Sequence, residues 1–150
     1  MSDVWAERIA TAFGVGRIPT APGTFGSLVA ALVAWPLAVN VPYWWAVAIP
    51  LAAGAGWLAC PGACRRLGAQ DPGAIVIDEI AGQWVALAGF AFDPWVWIAA
   101  FGLFRLFDVW KPWPVSRCER LPGASGIMTD DLVAGAMAFG ILRAILAFTG

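Results

Sequence analysis

The stretch GIMTDDLVAG (Gly126–Gly135) sets two adjacent carboxylates, Asp130 and Asp131, at the mouth of an apolar run that extends over 131–149. That run approaches the ~20 residues a helix needs to cross a bilayer core. Acids are scarce in the chain, ten in 150 residues, and are costly beside a hydrophobic segment. Their placement there fixes the two questions the rest of the sequence must answer: what surrounds the apolar run, and what needs the acids.

The surroundings are equally apolar. Hydrophobic residues make up 61% of the chain and charged residues 13%, with a mean hydropathy of +0.75. Soluble domains run at roughly half apolar and a quarter charged. Ten Trp and nine Phe stand against a single Tyr. A soluble fold would lack the polar surface to cover such a chain, so an integral membrane protein is expected. Apolar stretches fall at 25–39, 43–60, 80–92, 94–107 and 131–149, each bounded by a breaker or a charge. Several are short for a span; the third would cover only about 20 Å at 1.5 Å per residue. Short helices imply a locally thinned bilayer or helix ends enclosed by protein. The expected fold is therefore all-α: an integral membrane helical bundle of about four to five short transmembrane helices, forming one membrane-embedded domain over 1–150.

The N-terminal MSDVWAERIATAFGVGR carries acids and lacks a basic region followed by an apolar core, so it does not read as a cleaved signal. Val4, Trp5, Ile9 and Phe13 at near-helical spacing predict an amphipathic helix instead. Basic residues orient the bundle. Arg8 and Arg17 precede the first span, Arg65 and Arg66 follow the second, and Lys111, Arg117 and Arg120 lie between the fourth and fifth. The other connections hold no Lys or Arg, which places every basic loop on the cytoplasmic side. Arg143, on the last helix, is the exception, either snorkelling outward or facing the interior.

Several functions are excluded. A net charge of −1 without a basic stripe argues against nucleic acid. The absence of His excludes His phosphotransfer, Ser-His-Asp triads and His-ligated zinc. CPGACRR (60–66) matches the C-x5-R pattern of cysteine phosphatases, but the strand-loop-helix context is missing, and Cys60, Cys64 and Cys118 read as helix-packing residues.

Four polar segments remain: GRIPTAPGTFGSLVA (16–30), IDEIAGQ (77–83), FRLFDVWKPWP (104–114) and SGIMTDDLVAG (125–135). In the topology above, all four lie at cytoplasmic helix ends and meet in one layer. APGTFGS offers glycines, hydroxyls and a helix N-terminus suited to an anion, although Thr24 or Ser27 serving only as a cap, after an ordinary Pro22-Gly23 turn, is the plainer alternative. Asp78 and Glu79 open a helix, where charge also complements the dipole. Arg105, Asp108 and Lys111, three residues apart, share one helical face, as an ion-pair ladder or as functional groups at a membrane boundary. Carboxylates from three helix ends repel unless a hard divalent cation joins them, and oxygen-only ligation suits Mg²⁺. Arg105, Lys111 and Arg17 are then left to hold a phosphate. Metal, anion cradle and cations facing a lipid surface point to phosphoryl chemistry on an amphiphile. Thr129 is the expected N-cap of the last helix, placing Asp130 and Asp131 in its first turn. Neighbours on a helix point about 100° apart, so one is expected to ligate metal while the other caps, pairs or orients water.

Together GRIPTAPGTFGSL, DEIAGQW, FRLFDVWKPWPV and GIMTDDLVAG resemble the phosphatidylglycerophosphatase A family, in order from Gly16 to Gly135. The resemblance implies a multi-pass, Mg²⁺-dependent phosphatase of the bacterial cytoplasmic (inner) membrane, with its active site facing the cytoplasm. The implied reaction removes the terminal phosphate of phosphatidylglycerophosphate to give phosphatidylglycerol and inorganic phosphate. By motif position it implies Asp78, Glu79, Asp108 and Asp131 as catalytic residues. Asp78, Glu79, Asp108, Asp130 and Asp131 are the implied metal ligands, and Arg105, Lys111, Arg17, Thr24, Gly26 and Ser27 the implied phosphate contacts, with Gly23 also in the first motif. One departure is PGASGIMTDD, with Ala124-Ser125 where the family pattern carries a Gly-Gly pair. The attacking group is left open between a water and an aspartate. A small ion-coupled transporter is the rival, and it would place acids near the bilayer midplane rather than at the basic end.

Overall fold

The computed structural model describes residues 1–149 and is all-helical. Helix α1 (Asp3–Ala10) leads through a short 3-10 elbow (Ala12–Arg17) into α2 (Pro22–Asn40) and α3 (Trp45–Leu67). Then follow α4 (Ile77–Leu87), α5 (Pro94–Trp110), the single turn α6 (Val115–Cys118) and α7 (Ala124–Thr149). Among the described residues, three helices, α2, α3 and α7, are long and apolar enough to cross a membrane. With α4 and α5 the bundle has the five-helix order the apolar runs predict.

Helix α4 explains why one run is too short. Its 11 residues rise only about 16 Å, yet it packs against α2, α3, α5 and α7. Ile77, Ile80, Ala81, Gly82, Gln83, Ala86 and Leu87 are all buried. The short helix is enclosed by protein on its sides, so it need not meet the bilayer along its length. Its end is set locally: Gly89 adopts φ +68, and the Asp93 carboxylate accepts from Trp95 and Val96 N–H to cap α5, with Pro94 in the first turn.

Exposed aromatics mark two levels. Trp5, Phe13, Trp110 and Trp113 are exposed at the end holding the polar segments, and Trp35, Tyr43 and Trp95 at the other. Such girdles fit the two interfaces of a bilayer, and the 23-residue α3 between them rises about 35 Å. Arg143 resolves at the far end: its guanidinium donates to the Gly89 carbonyl at 3.0 Å and lies over the Phe90 and Phe139 rings. It closes the α4–α5 turn.

Three boundaries differ from expectation. Helix α7 begins at Ala124, so Thr129 is inside the helix and is not its N-cap; Asp130 and Asp131 belong to the second turn. Pro22 is the first residue of α2, after Ala21 in the left-handed region, and no side chain caps that helix. Phe13 lies beyond α1, at φ +55 in the elbow. In α1 the inward face is formed by Ala6, Glu7 and Ala10, while Val4 and Trp5 are exposed. The docking is tight because a Cβ on Gly62 of α3 would meet Ala6 Cβ at 2.6 Å.

Candidate active site

The crossing of α4 and α7 builds the site. A Cβ on Gly82 would lie 2.6 Å from the Asp131 carbonyl oxygen and 2.6 Å from the Phe104 ring, and one on Gly135 would strike the Gly82 carbonyl. Backbone therefore meets backbone, as small residues allow between membrane helices. One turn before Gly82 on α4, and one turn before Gly135 on α7, stand the acids. The crossing brings Asp78, Glu79 and Asp131 together, each offering a carboxylate oxygen within 4.8 Å of the others.

Asp131 is 3% exposed and Asp130 is 4% exposed. Asp131 Oδ2 and Glu79 Oε2 are buried without any hydrogen-bond partner. A buried, unsatisfied oxygen of an ionised group costs more than ~1–3 kcal/mol, and two beside a third carboxylate call for a shared positive partner. Gly23, at the start of α2, makes room: a Cβ there would collide with Glu79 Oε1 and come within 3.1 Å of Arg105 Nη1.

Cations flank the acids. The Arg105 guanidinium pairs with the Asp108 carboxylate one turn on. Lys111 is not on that face: it terminates α5 in the left-handed conformation (φ 49) and turns towards α7. Its ammonium donates to Asp130 Oδ2 at 2.7 Å and to Glu119 Oε1 at 2.8 Å. Burial works against this charge, but the hydrogen bonds to Asp130 and Glu119 outweigh it and hold the Lys111 pKa above the ordinary lysine range. The two adjacent acids of α7 thus differ: Asp130 is paired with Lys111, whereas Asp131 keeps an orphan oxygen.

The remaining predicted residues are distributed as follows. Thr24 is half-buried in the first turn of α2. Gly26 packs on Val76, where a Cβ would lie 2.9 Å from Val76 Cβ, and the fully buried Ser27 hydroxyl donates back to the Gly23 carbonyl at 2.8 Å. Arg17 lies in a different group: the elbow turns it back onto Glu7, which also accepts from Arg66. Cys60 is buried and Cys64 donates to the Gln70 carbonyl at 3.2 Å; neither belongs to the acid cluster.

Gln83 escapes the residue-by-residue reading. It is fully buried one helical turn beyond Glu79, and neither its amide nitrogen nor its amide oxygen has a partner. The signal was present in DEIAGQW, as a primary amide inside an otherwise apolar run after the acids.

The fold and site define a membrane-type helical bundle with three converging carboxylates flanked by Arg and Lys. Comparison with known proteins specifies it. The family model described as Phosphatidylglycerophosphatase A matches residues 8–146. The chain is 40% identical over 145 residues to the Phosphatidylglycerophosphatase A of Escherichia coli K12, covering 95% of this chain and 83% of that one. It is 36% identical over 143 residues to that of Haemophilus influenzae Rd, covering 91% and 86%. It is also 36% identical over 138 residues to a Bacteroides thetaiotaomicron protein provisionally named a phosphatidylinositol-3-phosphatase, covering 87% of each. No solved structure matches. The chain belongs to the phosphatidylglycerophosphatase A family, and it is a phosphatase.

Proposed function

We propose that the chain hydrolyses the terminal phosphomonoester of phosphatidylglycerophosphate, giving phosphatidylglycerol and inorganic phosphate, as a step of phospholipid biosynthesis. The reaction takes place at the cytoplasmic face of a bacterial inner membrane and depends on Mg²⁺. The observation that carries this reading is the Asp78–Glu79–Asp131 cluster with its two orphan oxygens. An all-carboxylate donor set fits a hard, oxygen-seeking cation and contains no soft ligand. Bound there, Mg²⁺ would neutralise charge on the phosphoryl oxygens.

The chain's own residues supply the rest. Asp78, Glu79 and Asp131 would hold the metal. Asp130, engaged by Lys111, keeps that ammonium at the mouth of the site, and Asp108 orients the Arg105 fork. Arg105 and Lys111 face the phosphoryl group, Arg as a planar pair of donors and Lys as a compact charge. The Gly23 end of α2, open because no side chain stands there, lets the phosphate approach Arg105 and the helix N-terminus. A single-turnover reaction quenched in acid separates the two attacking groups: a trapped aspartyl phosphate identifies a carboxylate nucleophile, and its absence identifies water.

Position favours this reading over a transporter. The acids lie in the first turn of α4 and the second of α7, at the end of the bundle rather than its middle. The test is phosphate release by the purified chain in detergent. Phosphatidylglycerophosphate with Mg²⁺ is expected to turn over faster than phosphatidylinositol 3-phosphate, and EDTA to abolish both. Full activity in EDTA contradicts the metal reading; a preference for the inositol lipid contradicts the substrate.

A further inference from the structure

The elbow between α1 and α2 joins two cavities that the acid cluster does not use. One, of about 270 Å³, is lined by Glu7, Arg8, Thr11, Phe13, Arg17 and Arg66. The other, of about 450 Å³, is an apolar groove between α2, α3 and α4, lined among others by Phe13, Val29, Val33, Leu51, Ile80 and Trp84. Phe13 borders both, so the cationic cavity and the groove adjoin at its ring.

Charge and depth say what fits. Three arginines line the small cavity against one carboxylate, a surplus of two positive charges. Glu7 engages only part of two guanidiniums, and the Arg17 and Arg66 side chains remain 63% and 45% exposed. Each guanidinium carries five N–H donors, enough to serve Glu7 and a second anion together. The groove offers no free polar group, because the Trp84 indole N–H is already donated to the Ala30 carbonyl at 2.9 Å. Along α4 it extends from Ile77 to Trp84, about 10 Å at 1.5 Å per residue. That is within one leaflet of a hydrocarbon core ~30 Å thick. A cationic cavity at the basic end, beside an apolar groove that lies within one leaflet, matches the charge and the apolar chain of a phospholipid.

We propose that this bipartite cavity binds one anionic phospholipid of the surrounding leaflet, its phosphodiester on Arg8, Arg17 and Arg66 and one acyl chain in the groove. The site is separate from the acid cluster, and the lipid in it is held, not hydrolysed. Arg17 accordingly serves this lipid rather than the phosphomonoester under attack. Glu7 is the internal competitor: it occupies donors that the lipid would otherwise take.

The experiment uses the full chain, purified and delipidated in a neutral detergent. It is offered phosphatidylglycerol or phosphatidylcholine with identical acyl chains, and retained lipid is counted by native mass spectrometry. One phosphatidylglycerol is expected per chain, preferred about tenfold over phosphatidylcholine. Arg8→Gln/Arg66→Gln should bring the preference close to parity, and Glu7→Gln should raise it above wild type. Ala48→Trp, which fills the groove, should lower retention of both lipids. Arg117→Gln/Arg120→Gln, exposed basic residues outside the cavity, should leave the preference unchanged. Equal retention of the two lipids by wild type, or no rise in Glu7→Gln, overturns the proposal. So does full retention in Ala48→Trp, which would mark a headgroup-only anion site. An equal fall in the Arg117/Arg120 variant would mark general surface attraction and overturn it as well. Because Glu7→Gln is predicted to bind more lipid, misfolding of an arginine variant cannot mimic the whole pattern. Phosphate release from phosphatidylglycerophosphate, measured on the same samples, reports separately on the acid cluster.

Discussion

Lys111 donates to Asp130 Oδ2 at 2.7 Å, whereas Asp131, the next residue, keeps a buried oxygen with no partner. One hydrogen bond thus separates two side chains that are chemically identical and adjacent in sequence. The second turn of α7 points them in different directions, one to the end of α5 and one to the start of α4. Asp131→Asn is expected to lose ~10²–10³-fold in phosphate release, as for loss of a group acting on transition-state charge. Asp130→Asn should lose about 10–100-fold, the range for a residue that orients others. A Mg²⁺ titration of each variant checks this: the concentration for half-maximal rate should move in Asp131→Asn much more than in Asp130→Asn. Identical shifts contradict the division.

The Gly82–Gly135 crossing sets the distance between the acids of α4 and α7. Gly135→Ala would drive a methyl group into the Gly82 carbonyl, an overpacking that costs about 1–3 kcal/mol. Stability and Mg²⁺ affinity should fall together. Gly102→Ala is the control, since a Cβ there meets nothing within 4 Å; its thermal midpoint should be unchanged or slightly higher. Loss of activity in Gly102→Ala with a normal Gly135→Ala would contradict the role of the crossing.

Gln83 carries two buried polar atoms without partners. Gln83→Leu removes both, and in EDTA it should raise the thermal midpoint, because each unsatisfied group costs about 1–3 kcal/mol. The same substitution should lower phosphate release at least ~10-fold if the amide serves the occupied site one turn away. Opposite signs in stability and activity identify a functional residue. A fall in both would make Gln83 structural.

Acid should undock α1. Asp3 is held below its ordinary value of 3.8 by the hydrogen bond from Arg65, and Glu7 below 4.5 by those from Arg66 and then Arg17. A carboxyl with a depressed folded pKa contributes stability above its unfolded value and loses it as pH falls through the folded one. The ion pairs therefore stabilise the chain throughout the neutral range and are lost below about pH 4. Wild type should melt above Glu7→Gln at pH 7, and the gap should narrow as pH falls below about 4. A gap that persists there contradicts the ion-pair account.

The apolar runs and the basic loops were legible because both obey the bilayer, which acts on residue type and not on neighbours. The converging acids were legible for the same reason, as charges at helix ends. Other features depended on local backbone. Helix α7 starts at Ala124 because Ala124, Ser125 and Gly126 continue the helix without any apolar signal. Gly126 also packs where a Cβ would meet the Glu119 carbonyl at 2.9 Å. Lys111 leaves the Arg105–Asp108 face because it adopts a positive φ before Pro112. Arg17 is only six residues before Gly23, yet the elbow at Phe13 and Gly14 sends it to Glu7. Spacing along a chain cannot report such reversals, because they depend on single left-handed residues.

One divalent cation held by Asp78, Glu79 and Asp131 would serve phosphoryl transfer. Mn²⁺, a paramagnetic stand-in for Mg²⁺ with the same preference for oxygen, tests it directly. Free Mn²⁺ is measured by electron paramagnetic resonance as the delipidated chain is titrated. Wild type should bind Mn²⁺ tightly and release it to excess Mg²⁺, while Glu79→Gln and Asp131→Asn should lose the tight site and Asp130→Asn should keep it. Equal Mn²⁺ binding by wild type and Asp131→Asn would contradict the account.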